Sequence, residues 1–315
     1  MGGLVFRLYP LRFSFVAREP IHFPPGKSSN ILRGAFGTIF RRIACLPRCS
    51  EARECEWRDS CPYARMFEPT TVISGPSGLA DWPRPFVFRA THLDARTVHA
   101  GESFHFDLNL FDVHSPALTY LVLAFGQLGR EGLGRGRTRV ELTGVSQLDI
   151  QGDAAAAVFD GRSLPIQQNA PPLELNLAAS AKAVSRLRVR FLTPTELKSA
   201  QRLAGGPEFS ILAARIRDRI STLRELYGDG PLEIDFRAFS ERAALVRMSG
   251  CDIQHVKLTR RSSRTGQVHP IGGFTGEAEY EGDLTEFVPY LAVAKWTGVG
   301  RQTVWGKGEI AFECV

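Results

Sequence analysis

Residues 118–142 read LTYLVLAFGQLGREGLGRGRTRVEL, and residues 284–310 read LTEFVPYLAVAKWTGVGRQTVWGKGEI. Leu118-Thr119 precedes Gly132-Leu133-Gly134-Arg135 by the spacing with which Leu284-Thr285 precedes Gly298-Val299-Gly300-Arg301, an offset of 166 residues. At that offset Leu121, Val122, Phe125 and Leu128 fall on Phe287, Val288, Leu291 and Ala294. Apolar residues at three- and four-residue steps form one face of a helix. Each stretch therefore predicts a helix, a glycine–apolar–glycine–arginine loop and a strand. A single match could arise by chance, but a helix face and a loop matched together argue for duplication.

Working outward, the first half opens with a strand over Leu4 to Glu19, apolar at Leu4, Phe6 and Leu8 and then, after Pro10, at Leu11, Phe13 and Phe15. After the turn HFPPGKSSN, Ser29 or Asn30 can cap a helix to Ile43. Its apolar positions are Ile31, Leu32, Ala35, Phe36, Ile39, Phe40 and Ile43, and Arg33, Arg41 and Arg42 lie on the other face. Strands follow around Phe86 to Ala90 and Ser103 to Phe111. The second half starts with a strand, Arg186 to Phe191. A helix from Phe209 to Tyr227 then carries the stripe Phe209, Leu212, Ile216, Ile220, Leu223 and Tyr227. Strand material lies at Ala244 to Thr259 and Phe274 to Tyr280, ahead of the helix from about Leu284. Both halves run strand, helix, two strands, helix, strand, the split βαβ order of a ferredoxin-like domain. The expected fold is α+β: tandem ferredoxin-like (RRM-like) domains at 1–149 and 184–315, with a cysteine-rich insert at 45–67 in the first. Residues 150–183 have little periodicity and many Ala, Pro and Gln, which reads as a linker with at most one edge strand.

A chain of 315 residues that is 43% apolar and 23% charged has the composition of a soluble globular protein with two cores. Its longest mostly apolar stretch, Leu118 to Phe125, is far short of a membrane span. Arg7 and Arg12 interrupt the N-terminus, unlike the apolar core of a signal peptide, so the expected location is cytoplasmic, with no membrane partner. Net charge is +6, carried by 33 Arg against 6 Lys. Guanidinium forks onto phosphate and stacks on bases, so this excess points to nucleic acid; codon usage of a GC-rich genome is the alternative source.

Several strings together resemble one family: LRGAFGTIFRR (32–42), the cysteine run ending CPYARMF (61–67), RRSSRTGQ (260–267) leading into GGFTGEAEYEGDL (272–284), and WTGVGRQTVWGKGEI (296–310). The chain is similar to CRISPR-associated repeat-RNA-processing endoribonucleases of the RAMP superfamily, in the subgroup that carries a cysteine cluster. The likeness covers about half of the chain; residues 145–240 match by order of elements only. It implies tandem RAMP domains that bind the CRISPR repeat RNA and cut the precursor crRNA on the 3′ side of its hairpin, with no cofactor for catalysis. The RNA 2′-hydroxyl attacks the adjacent phosphate, leaving 2′,3′-cyclic phosphate and 5′-hydroxyl ends. Other CRISPR effector subunits are the implied protein partners. The alternative reading is a non-catalytic RAMP scaffold subunit that binds RNA in an effector complex.

Within that likeness the second glycine loop, Gly298, Gly300, Gly306 and Gly308 with Arg301 and Lys307, is expected to lay backbone N–H groups and two cations against the RNA backbone. Gly132, Gly134 and Gly136, with Arg135 and Arg137, are its counterpart. From Ile253 to Gly276 no acidic residue occurs, while Lys257, Arg260, Arg261 and Arg264 stand beside His255 and His269. A basic strand and loop of this kind can track RNA phosphates.

Cys45, Cys49, Cys55 and Cys61 are spaced C-x3-C-x5-C-x5-C. Four thiolates this close can hold a structural Zn²⁺; an iron–sulfur cluster or two disulfides are the alternatives. Cys251 and Cys314 read as single buried cysteines.

Cleavage through the 2′-hydroxyl needs a base, an acid for the 5′-oxygen and cations for the phosphorane. Members of the family often use a histidine near the first helix with a nearby Tyr or Lys, yet Ser29 to Ile43 contains no histidine. His22 and Lys27, flanking the turn before it, are the first candidates. His255 with Lys257 is the second, and Tyr63 a possible helper. His92, His99, His105 and His114 read as strand or capping residues. No G-x-x-x-x-G-K-[ST], H-E-x-x-H or G-x-S-x-G occurs.

Overall fold

The computed structural model describes residues 4–45, 49, 51–73, 82–134, 136–162, 171–179, 182–199, 202–261 and 266–315, the side chains of Thr71 and Arg261 excepted. The chain divides into two compact units, Leu8–Leu173 and Met1–Arg7 with Glu174–Val315. Among the described residues no helix is long and apolar enough to cross a membrane.

In chain order the first sheet and its helices are β1 (Val5–Ala17), β2 (Ile21–Phe23), α1 (Ser28–Ala44), α2 (Pro62–Phe67), β3 (Phe86–Arg89), β4 (Arg96–Val98), β5 (Ser103–Leu110), α3 (Leu118–Glu131), β6 (Val140–Leu148), β7 (Ala154–Phe159) and β8 (Leu173–Asn176). The strands lie β3-β5-β1-β6-β7, β8 also pairs with β1, and β2 and β4 form a separate ribbon. The central order β3-β5-β1-β6 is that of a ferredoxin-like domain. Phe6 and Leu8, then Leu11, Phe13 and Phe15, are buried. The parity changes at Pro10, whose missing N–H falls just before the register with β6 begins at Leu11. Phe13 meets Phe125 of α3 at 4.5 Å, and Phe36 of α1 stacks on Phe125 at 4.6 Å. Fully burying each such ring contributes about 1.5–3 kcal/mol.

Three expectations are corrected here. The cap of α1 is neither Ser29 nor Asn30: the helix starts at Ser28, whose N–H donates to Asp94 Oδ1 at 3.0 Å and whose hydroxyl donates to the Ala90 carbonyl at 2.7 Å. A carboxylate from a distant turn thereby serves the positive end of the helix. Residues 150–183 are more than a linker, because β7 pairs with β6 and β8 with β1. Ala154–Ala157 of this edge strand are exposed, so no apolar period marks them. Cys251 and Cys314 are exposed, since they lie on the two edge strands of the second sheet.

That sheet comprises β9 (Arg186–Thr195), β12 (Arg247–Val256), β15 (Gly273–Glu281) and β16 (Ile310–Cys314), set between β10 (Lys198–Ser199), β11 (Arg202–Leu203), α4 (Phe209–Tyr227), α5 (Phe236–Ala244), β13 (Thr259–Arg261), β14 (Val268–Pro270) and α6 (Val288–Thr297). Its order, β12-β15-β9-β16, repeats that of the first unit. The predicted stripe of α4 is buried throughout. α6 begins at Val288 rather than at Leu284, with Pro289 in its first turn, the place where a missing N–H costs least.

Candidate functional site

In the second unit β13 and β14 form a hairpin with Arg260 opposite His269. The Arg260 guanidinium lies over the Trp305 ring, 3.8 Å from its centroid. Gln302 Nε2 donates to the Pro270 carbonyl at 2.8 Å. The basic hairpin and the second glycine loop, 45 residues apart between Arg260 and Trp305, thus form one surface. His255 and Lys257 are exposed just ahead of it. His255 sits edge-on to Phe274, with centroids 6.3 Å apart. Arg264 and the Arg261 side chain lie outside the described residues.

The glycines of the two loops adopt matching left-handed conformations: Gly132 and Gly298 at φ 96° and 70°, Gly134 and Gly300 at 71° and 77°. In the second loop the backbone N–H groups expected to face a phosphate have partners within the unit. The N–H groups of Gly298, Val299, Arg301, Gly306 and Gly308 donate to the carbonyls of Ala294, Gly308, Glu196, Thr303 and Pro194. A Cβ on Gly308 would stand 1.9 Å from the Val299 oxygen, and one on Gly300 2.4 Å from the Glu196 oxygen. The glycines therefore close the loop tightly onto itself and onto the end of β9. Lys307 is only 3% exposed, so its ammonium is held inside the loop rather than offered to a phosphate. Arg301 is exposed and pairs with Glu196 at 2.5 Å.

Among the described residues, the face of this sheet that bears Arg186 and Arg188 is lined by ion pairs. Arg188 reaches Glu279 at 2.5 Å, Glu313 at 3.3 Å and Glu277 at 3.8 Å, and Arg186 pairs with Glu281 at 2.9 Å. An RRM stacks bases on sheet aromatics; here those positions form an ion-pair ladder.

In the first unit β2 pairs with β4 so that His22 faces Thr97, with Nδ1 3.0 Å from Thr97 Oγ1. Lys27 occupies the N-cap position of α1. The first glycine loop is closed by the Leu133–Thr138 bridge. Thr138 Oγ1 donates to the Pro20 carbonyl at 3.4 Å, and a Cβ on Gly134 would meet Ile31 at 3.8 Å. The loop therefore lies against Pro20, just ahead of β2, and against Ile31 in the first turn of α1. Arg137 is exposed; Arg135 lies outside the described residues. Tyr63 stacks on Phe67 at 5.1 Å beneath Arg41, a packing role within the insert. His92 and His105 stack at 4.5 Å, and burial with the neighbouring His92 charge lowers the His105 pKa.

The four clustered cysteines are half-buried thiols. Burial, then the neighbouring Cys61 and Cys49, pushes the Cys45 thiol up to about 12, and burial with Cys55 raises Cys49. Cys45 therefore neighbours Cys61 and Cys49, and Cys49 neighbours Cys55. Among the described residues no group of three or more His, Cys, Asp or Glu is arranged to hold an ion.

A family model described as CRISPR-associated endoribonuclease Cas6 matches residues 189–310, and a second, the AF_1859 N-terminal domain, matches residues 6–171. Over residues 189–310 the chain carries a domain of the Cas6 family of CRISPR-associated endoribonucleases. Among solved structures, a Cas6 (TTHB231) product complex aligns over 98% of this chain and 99% of that one at 17% identity, TM-score 0.57. Thermus thermophilus Cas6 (TTHB231) aligns over 99% and 100% at 17% identity, TM-score 0.53. A partial Cas6-RT-Cas1–Cas2 complex aligns over 100% of this chain and 47% of that one at 11% identity, TM-score 0.53. At these identities the likeness speaks for the fold. No curated protein matches in sequence.

Within the second unit, where the Cas6 match lies, the structure joins the two basic elements; in the first unit, the first glycine loop lies against Pro20 and Ile31. Sequence reasoning missed Trp305. The available signal was an aromatic residue inside a basic, glycine-rich loop, the pattern of a surface that binds single strands.

Proposed function

We propose that this protein is a metal-independent endoribonuclease that binds CRISPR repeat hairpins and cuts precursor crRNA by 2′-hydroxyl attack, giving 2′,3′-cyclic phosphate and 5′-hydroxyl ends. The observation that carries the reading is the union of the basic hairpin with the glycine loop through Arg260 and Trp305. It gives cations and an aromatic ring to one surface in a chain of net charge +6. His22 is the proposed base or acid: an exposed imidazole oriented through Nδ1 by Thr97 has the base–orienter arrangement of a proton-transfer site. Lys27 supplies positive charge for the phosphorane. His255, edge-on to a phenyl ring, has no comparable orienter among its described contacts, which ranks it second. RNA contacts are proposed for Lys257, Arg260, Arg261, Arg264, Arg301 and Arg137. The expected partners are repeat RNA and other CRISPR proteins.

Replacing the single 2′-hydroxyl next to the scissile phosphate by hydrogen tests the nucleophile. The expected result is intact RNA that still binds with wild-type affinity; cleavage of the deoxy substrate overturns the mechanism. A wild-type protein that binds repeat RNA and never cuts it would instead be the scaffold.

The four cysteines are proposed to hold a structural zinc ion. Their donor set suits tetrahedral Zn²⁺ with no open position for substrate. Metal analysis of protein purified under reducing conditions is expected to find zinc in wild type and none in a Cys45→Ser/Cys61→Ser variant. Wild type free of metal contradicts the site, and iron with acid-labile sulfide would make it a cluster.

A further inference from the structure

We propose that Trp305 is a nucleobase-stacking residue which, with Arg260 laid against it, captures one unpaired base of the RNA; this rests on the RNA-processing reading above. Three observations carry it. The guanidinium of Arg260 lies over the indole, 3.8 Å from its centroid, so cation and ring already form one side of a cation–π sandwich that a base can complete. The ring is held from both sides of its turn: Trp305 ends the 3₁₀ turn Thr303–Trp305, between left-handed Gln302 at φ 64° and Gly306 at φ 73°. Positive φ is disfavoured for a residue with a side chain, and Gln302 is tied down by its 2.8 Å bond to the Pro270 carbonyl. Finally, the indole is half-exposed on a cationic surface, whereas the sheet face that would stack bases in an RRM is taken by the Arg188 and Arg186 ion pairs.

Every base has a π-face, so a stack of this kind binds an unpaired nucleotide with little demand on its identity. Arg260 adds a fork that suits the adjoining phosphate, which a lysine could not reproduce. Hairpin recognition and single-strand capture would then share one surface.

The test titrates wild type, W305A, W305F and R260K with a repeat RNA, and with copies of it bearing one abasic site scanned through the unpaired positions. RNA is expected to quench wild-type tryptophan fluorescence, with most of that quench absent in W305F. W305A is expected to bind about 5- to 150-fold more weakly with an unchanged salt dependence, because stacking releases no counterions. W305F should lose less. R260K, which keeps the charge and loses the plane, should also bind more weakly. One abasic position should weaken binding by wild type and not by W305A. A W305A protein that melts like wild type and binds RNA equally overturns the proposal. So does an abasic scan in which no position separates the two. If W305A does not fold, a quench of equal size in W305F and wild type overturns it. Failure of wild type to bind repeat RNA at all would instead defeat the RNA-processing reading.

Discussion

Gly308→Ala is expected to destabilise the second unit by at least about 3 kcal/mol and to abolish RNA processing with it. At φ 67° an added Cβ would lie 1.9 Å from the Val299 oxygen and 2.9 Å from its carbonyl carbon. Both are backbone atoms, so no side-chain rotation relieves the contact. Left-handed backbone alone costs an L-residue about 1–2 kcal/mol. The clash also opens the 2.9 Å bond from the Val299 N–H to the Gly308 carbonyl, which closes the loop that carries Trp305. Gly134→Ala in the duplicated loop is the control. It has similar φ, 71°, but its Cβ would meet only Ile31 at 3.8 Å, so about 1–2 kcal/mol is expected. Denaturant unfolding of the two variants measures the difference. Equal midpoints would mean that close backbone approach does not set the loop.

His22→Ala is expected to slow single-turnover cleavage by about 10²–10⁴-fold, the usual contribution of a positioned proton-transfer group, while RNA affinity stays at the wild-type level. The ring projects from β2, opposite Thr97, whose hydroxyl lies 3.0 Å from Nδ1; in the proposed mechanism Nε2 is then the nitrogen that would exchange protons with the RNA. Thr97→Val is expected to reproduce a smaller part of the loss, since it removes the orienting hydroxyl and keeps the imidazole. Paired measurements of cleavage rate and affinity decide the matter. Normal cleavage by His22→Ala together with loss in His255→Ala would move the catalytic group to the second unit.

Much of the fold was legible because its signals are local and periodic. The alternation of Phe13 and Phe15, the stripe from Phe209 to Tyr227 and the 166-residue repeat all report on which face is buried. What was not legible depends on partners remote in sequence or on the absence of a pattern. β7 presents Ala154–Ala157 to solvent, so an edge strand with no apolar face looks like a linker. The cap of α1 comes from Asp94, 66 residues from Ser28, beyond any local capping motif. Glycine is required both where a backbone touches a phosphate and where it touches another backbone. The sequence of the second loop therefore cannot distinguish a phosphate cradle from the tight closure at Gly300 and Gly308.

The candidate site was legible in its parts and not in its assembly. The basic hairpin and the glycine loop were each visible as composition, but their union depends on Arg260 finding Trp305 and on Gln302 finding Pro270. Lys307 shows the converse. By composition it is a cation in a binding loop, and only its 3% exposure reveals that it lies inside.

The most direct test of the central claim is cleavage of end-labelled repeat RNA by the purified protein in excess EDTA, with the product ends analysed chemically. The RNA supplies its own nucleophile in this mechanism. The predicted result is therefore a single cut at an undiminished rate, leaving a 2′,3′-cyclic phosphate and a 5′-hydroxyl. Cleavage that stops in EDTA and returns with Mg²⁺, or products with a 3′-hydroxyl and a 5′-phosphate, would contradict it.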